Sequence, residues 1–416
     1  METAPFVPSP VWVAPFALLL LGIAVLPLFA AHFWESNLRK LAVCAVLGLP
    51  VLWLYLRHHP QGLLHTASDY VSFIILLASL YVISGGVFLE GDLPAAPGTN
   101  TAFLAGGALL ASFIGTTGAS MLLIRPLLQT NRERRRVTHT VVFFIFLVSN
   151  IGGCLTPLGD PPLFLGYLAG VPFAWTLRLT VPWLFTTALL LSIYYFWDRR
   201  EHAREARADL REDRLAVRPL RLAGNENLAL LAGIVLAAAF LKAPWREVAM
   251  VALTVVSLVR TQKELREANH FSFHPILEVA AVFAGIFVTM LPALDLLRAR
   301  GAELGVREPW HFFWAAGVLS SFLDNAPTYL TFLALAQGLK LTPEVVGVSH
   351  EVLTAISLGA VFMGANTYIG NGPNFMVRSI AEARGVKMPG FGGYMLYSGA
   401  VLIPVFVVVT LVFFRS

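Results

Sequence analysis

Apolar runs long enough to cross a bilayer recur along the whole chain, and four apolar stretches are interrupted by glycine, proline, hydroxyl and amide residues. A bilayer core about 30 Å thick needs ~20 apolar residues per helix. By that measure 11–31, 40–56, 70–89, 137–155, 174–197, 227–242, 246–260, 275–297, 351–365 and 393–414 are predicted spans. The chain is 57% hydrophobic and 13% charged, with a mean hydropathy of +0.70. Too few polar residues are present to cover a water-soluble fold. Soluble enzymes, nucleic-acid binders and disulfide-stapled secreted scaffolds are thereby excluded, and an all-α polytopic membrane protein is predicted. Its first partner is the lipid bilayer. Met1 to Pro10 carries no Lys or Arg, so the first apolar run reads as a retained transmembrane helix rather than a signal peptide.

Two further stretches, 101–129 and 310–338, are too long for one span. Each is interrupted mid-way, by Gly115-Thr-Thr-Gly-Ala-Ser120 and by Asp324-Asn-Ala-Pro-Thr328. They read as re-entrant helical hairpins with a polar tip at mid-membrane. The stretches 137–170 and 351–383 carry Gly/Pro/Asn clusters after an apolar run, at Ser149–Pro162 and Gly364–Asn374, and read as broken helices. Three spans, a hairpin, a broken helix and a last span therefore occur twice. Residues 1–197 form a predicted first repeat and 227–416 a second, joined by a charged, solvated linker at 198–226. If the hairpins are re-entrant, each half crosses five times, an odd number, and the halves are inverted. Arg132, Arg134, Arg135, Arg136 and the arginines of the linker mark the cytoplasmic side, with both termini outside. Arg298, Arg300 and Arg307 fall outside in this scheme.

Backbone that stops being helical inside hydrocarbon survives only where protein or water surrounds it. Interruptions at matching places in two halves point to the central site of a transporter, where helix ends and freed carbonyls meet an ion. Thr116, Thr117, Ser120, Asn150, Thr156, Asn325, Thr328, Asn366, Thr367, Asn371 and Asn374 supply neutral oxygens of the kind that bind Na⁺. Asp160 and Asp324 add carboxylates. A carboxylate at this depth is a functional candidate by default, able to hold either a proton or Na⁺. Asp160, Asp324, Asn150 and Asn366 are the expected Na⁺ ligands, and no catalytic residue or resident cofactor is expected. Arg125 and Arg378, beyond the hairpin tip and the second break, are read as snorkelling or anion-holding side chains. Glu278 and Asp295 are read as interfacial, the latter paired with Arg298 or Arg300. Cys44 and Cys154 read as packing residues, and His58, His59 and His65 as loop residues without a metal.

At these motifs the chain resembles the ion transporter superfamily, which includes NhaD-type Na⁺/H⁺ antiporters, arsenite transporters, and citrate and dicarboxylate carriers. Ser149–Asp160 resembles the first-break motif of NhaD-type proteins, Leu323-Asp-Asn-Ala-Pro-Thr328 the second hairpin tip, and Gly370-Asn-Gly-Pro-Asn374 the second break. The first tip departs from the antiporter pattern, with Thr116-Thr117-Gly118 where an Asp-Asn pair is usual. The resemblance implies a scaffold domain and a transport domain moving as an elevator, usually in a homodimer. It places Asn150, Asp160, Asp324, Asn325 and Asn366 at ion sites. The expected activity is Na⁺/H⁺ antiport across a bacterial-type cytoplasmic membrane, with small cations and protons as cargo and no nucleic-acid partner. The alternative is Na⁺- or H⁺-coupled transport of citrate or a similar carboxylate.

Overall fold

A computed structural model describes residues 6–340 and 344–415. Its elements are α1 (Ala14–Phe29), α2 (Ala31–Trp34), α3 (Asn37–His58), α4 (Pro60–Ser84), β1 (Phe88–Asp92), α5 (Pro97–Ile114), α6 (Thr116–Thr130), α7 (Thr138–Leu147) and α8 (Pro161–Leu168). Next come α9 (Thr180–His202), α10 (Arg207–Ala216), β2 (Arg218–Ala223), α11 (Glu226–Phe240), α12 (Trp245–Arg260), α13 (Lys263–Ala268), α14 (His274–Thr289) and α15 (Leu291–Arg300). The chain ends with α16 (Pro309–Phe322), α17 (Asn325–Gly338), α18 (His350–Met363), α19 (Gly372–Ala383) and α20 (Phe391–Phe413). Six helical segments among the described residues are long and apolar enough to cross a membrane: Pro10–Pro27, Asn37–His58, Pro60–Ser84, Phe173–His202, His274–Leu304 and Phe391–Phe413. The protein is an all-α, multi-pass membrane protein.

The helices sort into two packed groups. One is α3, α4, α12 and α14, with α1 against α3 and α14, and α11 against α4 and α12. Lipid-facing positions such as Leu49, Leu56, Val255 and Val259 stay apolar and exposed. The other group contains α5–α8 and α16–α19, flanked by α9 and α20. Helix α7 is apolar all round, and Val141–Val148 are fully buried, the pattern of an inner helix. Helix α5 packs on α6 and α16 on α17. The first pair turns at Gly115, whose φ of 82° is a left-handed value that a side chain strains. The second turns through extended Leu323 and Asp324.

The linker differs from expectation. Asp198 is fully buried, not solvated: Arg134 donates to it at 2.6 and 3.1 Å and His139 Nε2 lies 2.8 Å away. A charge buried this deeply requires partners, and the loop after the first hairpin provides them. Arg218–Ala223 is a strand, paired antiparallel with Phe88–Asp92. The register sets Glu90 against Arg221 and Asp92 against Arg218, with a bulge between. The extra residue lies on β2, where Pro219 and Leu220 oppose Gly91 alone; a Cβ on Gly91, whose φ is 142°, would lie 2.8 Å from the Leu220 Cα.

Candidate functional site

Each break is held open by a serine on the neighbouring hairpin arm. In the first half α7 gives way to a 3-10 turn at Ile151–Cys154, and α8 restarts at Pro161. Proline at the first helical positions forfeits only a backbone donor that would be unpaired anyway. Ser112 Oγ donates to the Gly152 carbonyl at 2.5 Å and accepts from Leu155 N at 3.0 Å. Thr156 donates back to the Ser112 carbonyl and accepts from Leu158 N at 3.2 Å. The second half repeats the arrangement. Ser321 Oγ donates to the Met363 carbonyl at 3.0 Å, and Thr367 donates to the Ser321 carbonyl. Ile369 N then donates to Thr367 Oγ1 at 3.1 Å. These bonds answer the backbone groups that would otherwise stand unpaired in hydrocarbon. In both breaks two glycines also touch. A Cβ on Gly159 would lie 2.2 Å from the Gly153 carbonyl oxygen, and one on Gly370 would lie 2.5 Å from that of Gly364.

Aligned on these shared contacts, Asp160 occupies the place of Asn371, and Gly115 that of Asp324. One half thus carries its carboxylate in the break and the other in the hairpin tip. Asp160 is 1% exposed. It accepts from Thr116 Oγ1 at 2.8 Å, Asn371 Nδ2 at 3.0 Å and Asn325 Nδ2 at 2.6 Å. Thr116 N also donates to the Gly159 carbonyl at 2.8 Å, and Asn371 Nδ2 to that of Ser149 at 3.1 Å. One carboxylate therefore ties both tips and both breaks together.

Asp324 is placed differently. Its side chain caps α17 by accepting from Ala326 N at 3.0 Å, and its second carboxylate oxygen has no protein partner among the described residues. It faces a cavity of about 130 Å³. Gly115–Gly118, Gly159, Pro161, Asp324–Asn325 and Asn371–Pro373 contribute to the wall, closed from the other side by α4 and α14 through Tyr81, Ile276 and Phe283. The N-termini of α6, α8, α17 and α19 thus converge on one small space. Each N-terminus brings roughly +0.5 of an elementary charge, although Pro161, Pro162, Pro327 and Pro373 carry no N–H and the Thr116 and Ala326 N–H groups are already donated to the Gly159 carbonyl and to Asp324. Asp324 is the one charged residue on this wall.

A protein family described as "Putative citrate transport" matches residues 7–414. The chain belongs to this family. No curated protein matches it. Transport of a small molecule across the bilayer is the activity that goes with this family.

Within this family fold the sequence candidates separate by place. Thr116, Thr117, Asp324, Asn325 and Asn371 line the cavity, with Asp160 directly behind Thr116, Asn325 and Asn371. The others knit the surrounding walls. Ser120 Oγ lies 2.8 Å from Ser149 Oγ. Asn150 Nδ2 donates to the Ile145 carbonyl at 2.8 Å and to Asn374 Oδ1 at 2.7 Å. Asn374 Nδ2 donates to the carbonyls of Gly364 and Thr367, both at 2.9 Å, and Thr328 Oγ1 to that of Asp324 at 2.9 Å. Asn366 Nδ2 donates to Ser321 Oγ at 2.9 Å. Asn150 and Asn366 each keep a buried Oδ1 without a hydrogen-bond partner among the described residues.

Away from the cavity, Glu278 accepts from buried Lys40 at 2.6 Å and Asp295 pairs with Arg298 at 3.3 Å. Arg378 pairs with Glu382 at 3.0 Å and lies over the Tyr368 ring. No His/Cys/Asp/Glu group of metal-binding size occurs among the described residues. Sequence reasoning missed Ser112 and Ser321, although each lies three residues before its hairpin turn and is followed by Phe. It also missed Tyr81, which reaches the cavity from α4.

Proposed function

We propose that this protein is a cation-coupled secondary transporter of citrate or a related carboxylate, with the cation or proton held at Asp324. The observation that carries the reading is the meeting of four helix N-termini around Asp324, with Asp160 behind the wall. The N-termini attract an anion and Asp324 repels it. Two unit charges 4 Å apart at an effective dielectric of 20 interact by about 4 kcal/mol, roughly a thousandfold in affinity. Covering Asp324 with Na⁺ or a proton removes that repulsion and leaves the N-terminal field for the substrate. Substrate and coupling ion then bind well only together, which is the coupling a symporter requires.

Asn150 Oδ1 and Asn366 Oδ1 are further candidate cation ligands, and Asp160 holds the tips and breaks as one unit. The α5–α8 and α16–α19 group is the proposed moving part. The α1, α3, α4, α11, α12 and α14 group is the proposed scaffold, with the two halves inverted and the linker cytoplasmic. Na⁺/H⁺ antiport is the second reading, favoured by the two carboxylates and by a cavity wall without Lys or Arg.

Proteoliposomes with an entrapped pH dye separate the two. Labelled citrate uptake that requires a Na⁺ or proton gradient and falls at least tenfold in Asp324→Asn supports the first reading. Dye response to NaCl without citrate, and no citrate uptake, replaces it with the second.

A further inference from the structure

A second, larger cavity of about 590 Å³ lies between the β1–β2 sheet and the C-terminal ends of α6 and α19. It shares no wall residue with the central cavity. Its volume falls within the range of small-molecule sites. Five arginines line it: Arg125, Arg132, Arg218, Arg221 and Arg384. Their acidic company is thin. Arg132 is paired with Glu133 at 2.8 Å. Among the described residues, the other four have no carboxylate within ion-pair distance. Of the two wall acids, Asp92 accepts from Gln129 Nε2 at 3.1 Å, and Glu90 forms no ion pair. The Nη1 of Arg125 is buried without a hydrogen-bond partner. A buried guanidinium nitrogen without an acceptor is costly, and this one borders a cavity that gathers further unpaired positive charge.

We propose that this cavity is a second anion site, taking a multivalent oxyanion such as a di- or tricarboxylate or a phosphate group. Arginine presents a rigid fork of N–H donors that matches carboxylate and phosphate oxygens. Four such side chains from α6, from β2 and from the end of α19 supply it from three directions. Placement gives the site a consequence. Helix α6 runs from Thr116 at the central cavity to Arg125 at the second one. Helix α19 starts at the central cavity with Gly372, and Arg384 caps its far end. An anion bridging Arg125 and Arg384 to Arg218 and Arg221 ties both helices to the linker strand, and so restrains the proposed moving part. That consequence rests on the transport reading; the binding does not.

Calorimetric titration of the purified full-length chain in detergent with pyrophosphate tests the site. A parallel arm compares thermal stability in nanodiscs of zwitterionic lipid with and without anionic lipid. Saturable binding is expected. Pyrophosphate binding should weaken about tenfold or more in Arg384→Gln and in Arg125→Gln, weaken in 300 mM salt, and stay unchanged in Arg300→Gln, an exposed arginine paired with Glu303 outside the cavity. Arg384 is exposed, so its substitution leaves the fold intact. Binding of anionic lipid alone, lost in the Arg384 and Arg125 variants, assigns the oxyanion to a headgroup and sustains the site. Three results overturn it: no binding in either arm, binding indifferent to the Arg384 and Arg125 substitutions, or binding lost as fully in Arg300→Gln as in Arg384→Gln.

Discussion

Replacing Asp160 tests whether one carboxylate holds the two hairpin tips and the two breaks together. Asp160→Ala removes the acceptor for Thr116, Asn325 and Asn371, which donate at 2.8, 2.6 and 3.0 Å. Each buried donor left unmade costs about 1–3 kcal/mol, so the total is about 3–9 kcal/mol. For a chain of this length, 1 kcal/mol corresponds to roughly 1 °C in Tm. Asp160→Asn keeps the shape and one acceptor oxygen, which still serves Thr116 and Asn371. Its new amide N–H faces the Asn325 amide, and a flip of Asn325 turns that clash into a hydrogen bond. The expected loss is only about 1 kcal/mol. Scanning fluorimetry of the purified protein in detergent reads both. The expected order is wild type, then Asn slightly below it, then Ala several degrees lower. Alanine within 1 °C of wild type, or asparagine as damaging as alanine, would refute the hub.

Gly159→Ala and Gly370→Ala force a Cβ to 2.2 and 2.5 Å from a carbonyl oxygen, whereas Gly372→Ala meets nothing within 4 Å. The first two should lose at least about 1–3 kcal/mol and the third almost none, seen as detergent Tm and folded yield. Arg134→Met leaves fully buried Asp198 with only His139 and Asn100; a loss of about 3–5 kcal/mol is expected, and a Tm unchanged from wild type would count against this anchor. Cys44 and Cys154 are 4% and 0% exposed, so neither should react with maleimide until the protein is denatured. Mass spectrometry of the intact chain reads that directly.

Much of this architecture is legible in the residues because hydrocarbon allows so few alternatives. Apolar length locates the spans, and the Gly/Pro/Asn clusters at Ser149–Pro162 and Gly364–Asn374 mark where helices stop. Helix ends fall at those clusters: α7 stops at Leu147 and α8 starts at Pro161, α18 stops at Met363 and α19 starts at Gly372. What was not legible depends on contacts between distant segments. Arg218–Ala223 carries no strong strand pattern; it becomes a strand because Phe88–Asp92 lies beside it. Asp198 looks like the edge of a charged, solvated run, and only the fold brings Arg134 and His139 to it. The same holds at the centre. Composition marks Asn150, Asn325, Asn366, Asn371 and Asn374 alike as oxygen donors, yet only Asn325 and Asn371 reach the cavity wall. Asn150 and Asn374 pair with each other instead. Nor does sequence distinguish the two carboxylates, one saturated with donors and the other open to the cavity.

The central claim is that a carboxylate substrate and its coupling ion meet at the cavity of four helix N-termini. Thiol labelling of Thr117→Cys tests it most directly, because Thr117 lines that cavity and the two native cysteines are buried. In proteoliposomes, citrate should slow labelling at this position only when Na⁺ or an acidic pH is supplied. The added Asp324→Asn substitution, which makes the side chain permanently neutral, should abolish that cation dependence. Labelling that citrate never slows, or slows equally with and without the coupling ion, would contradict the account.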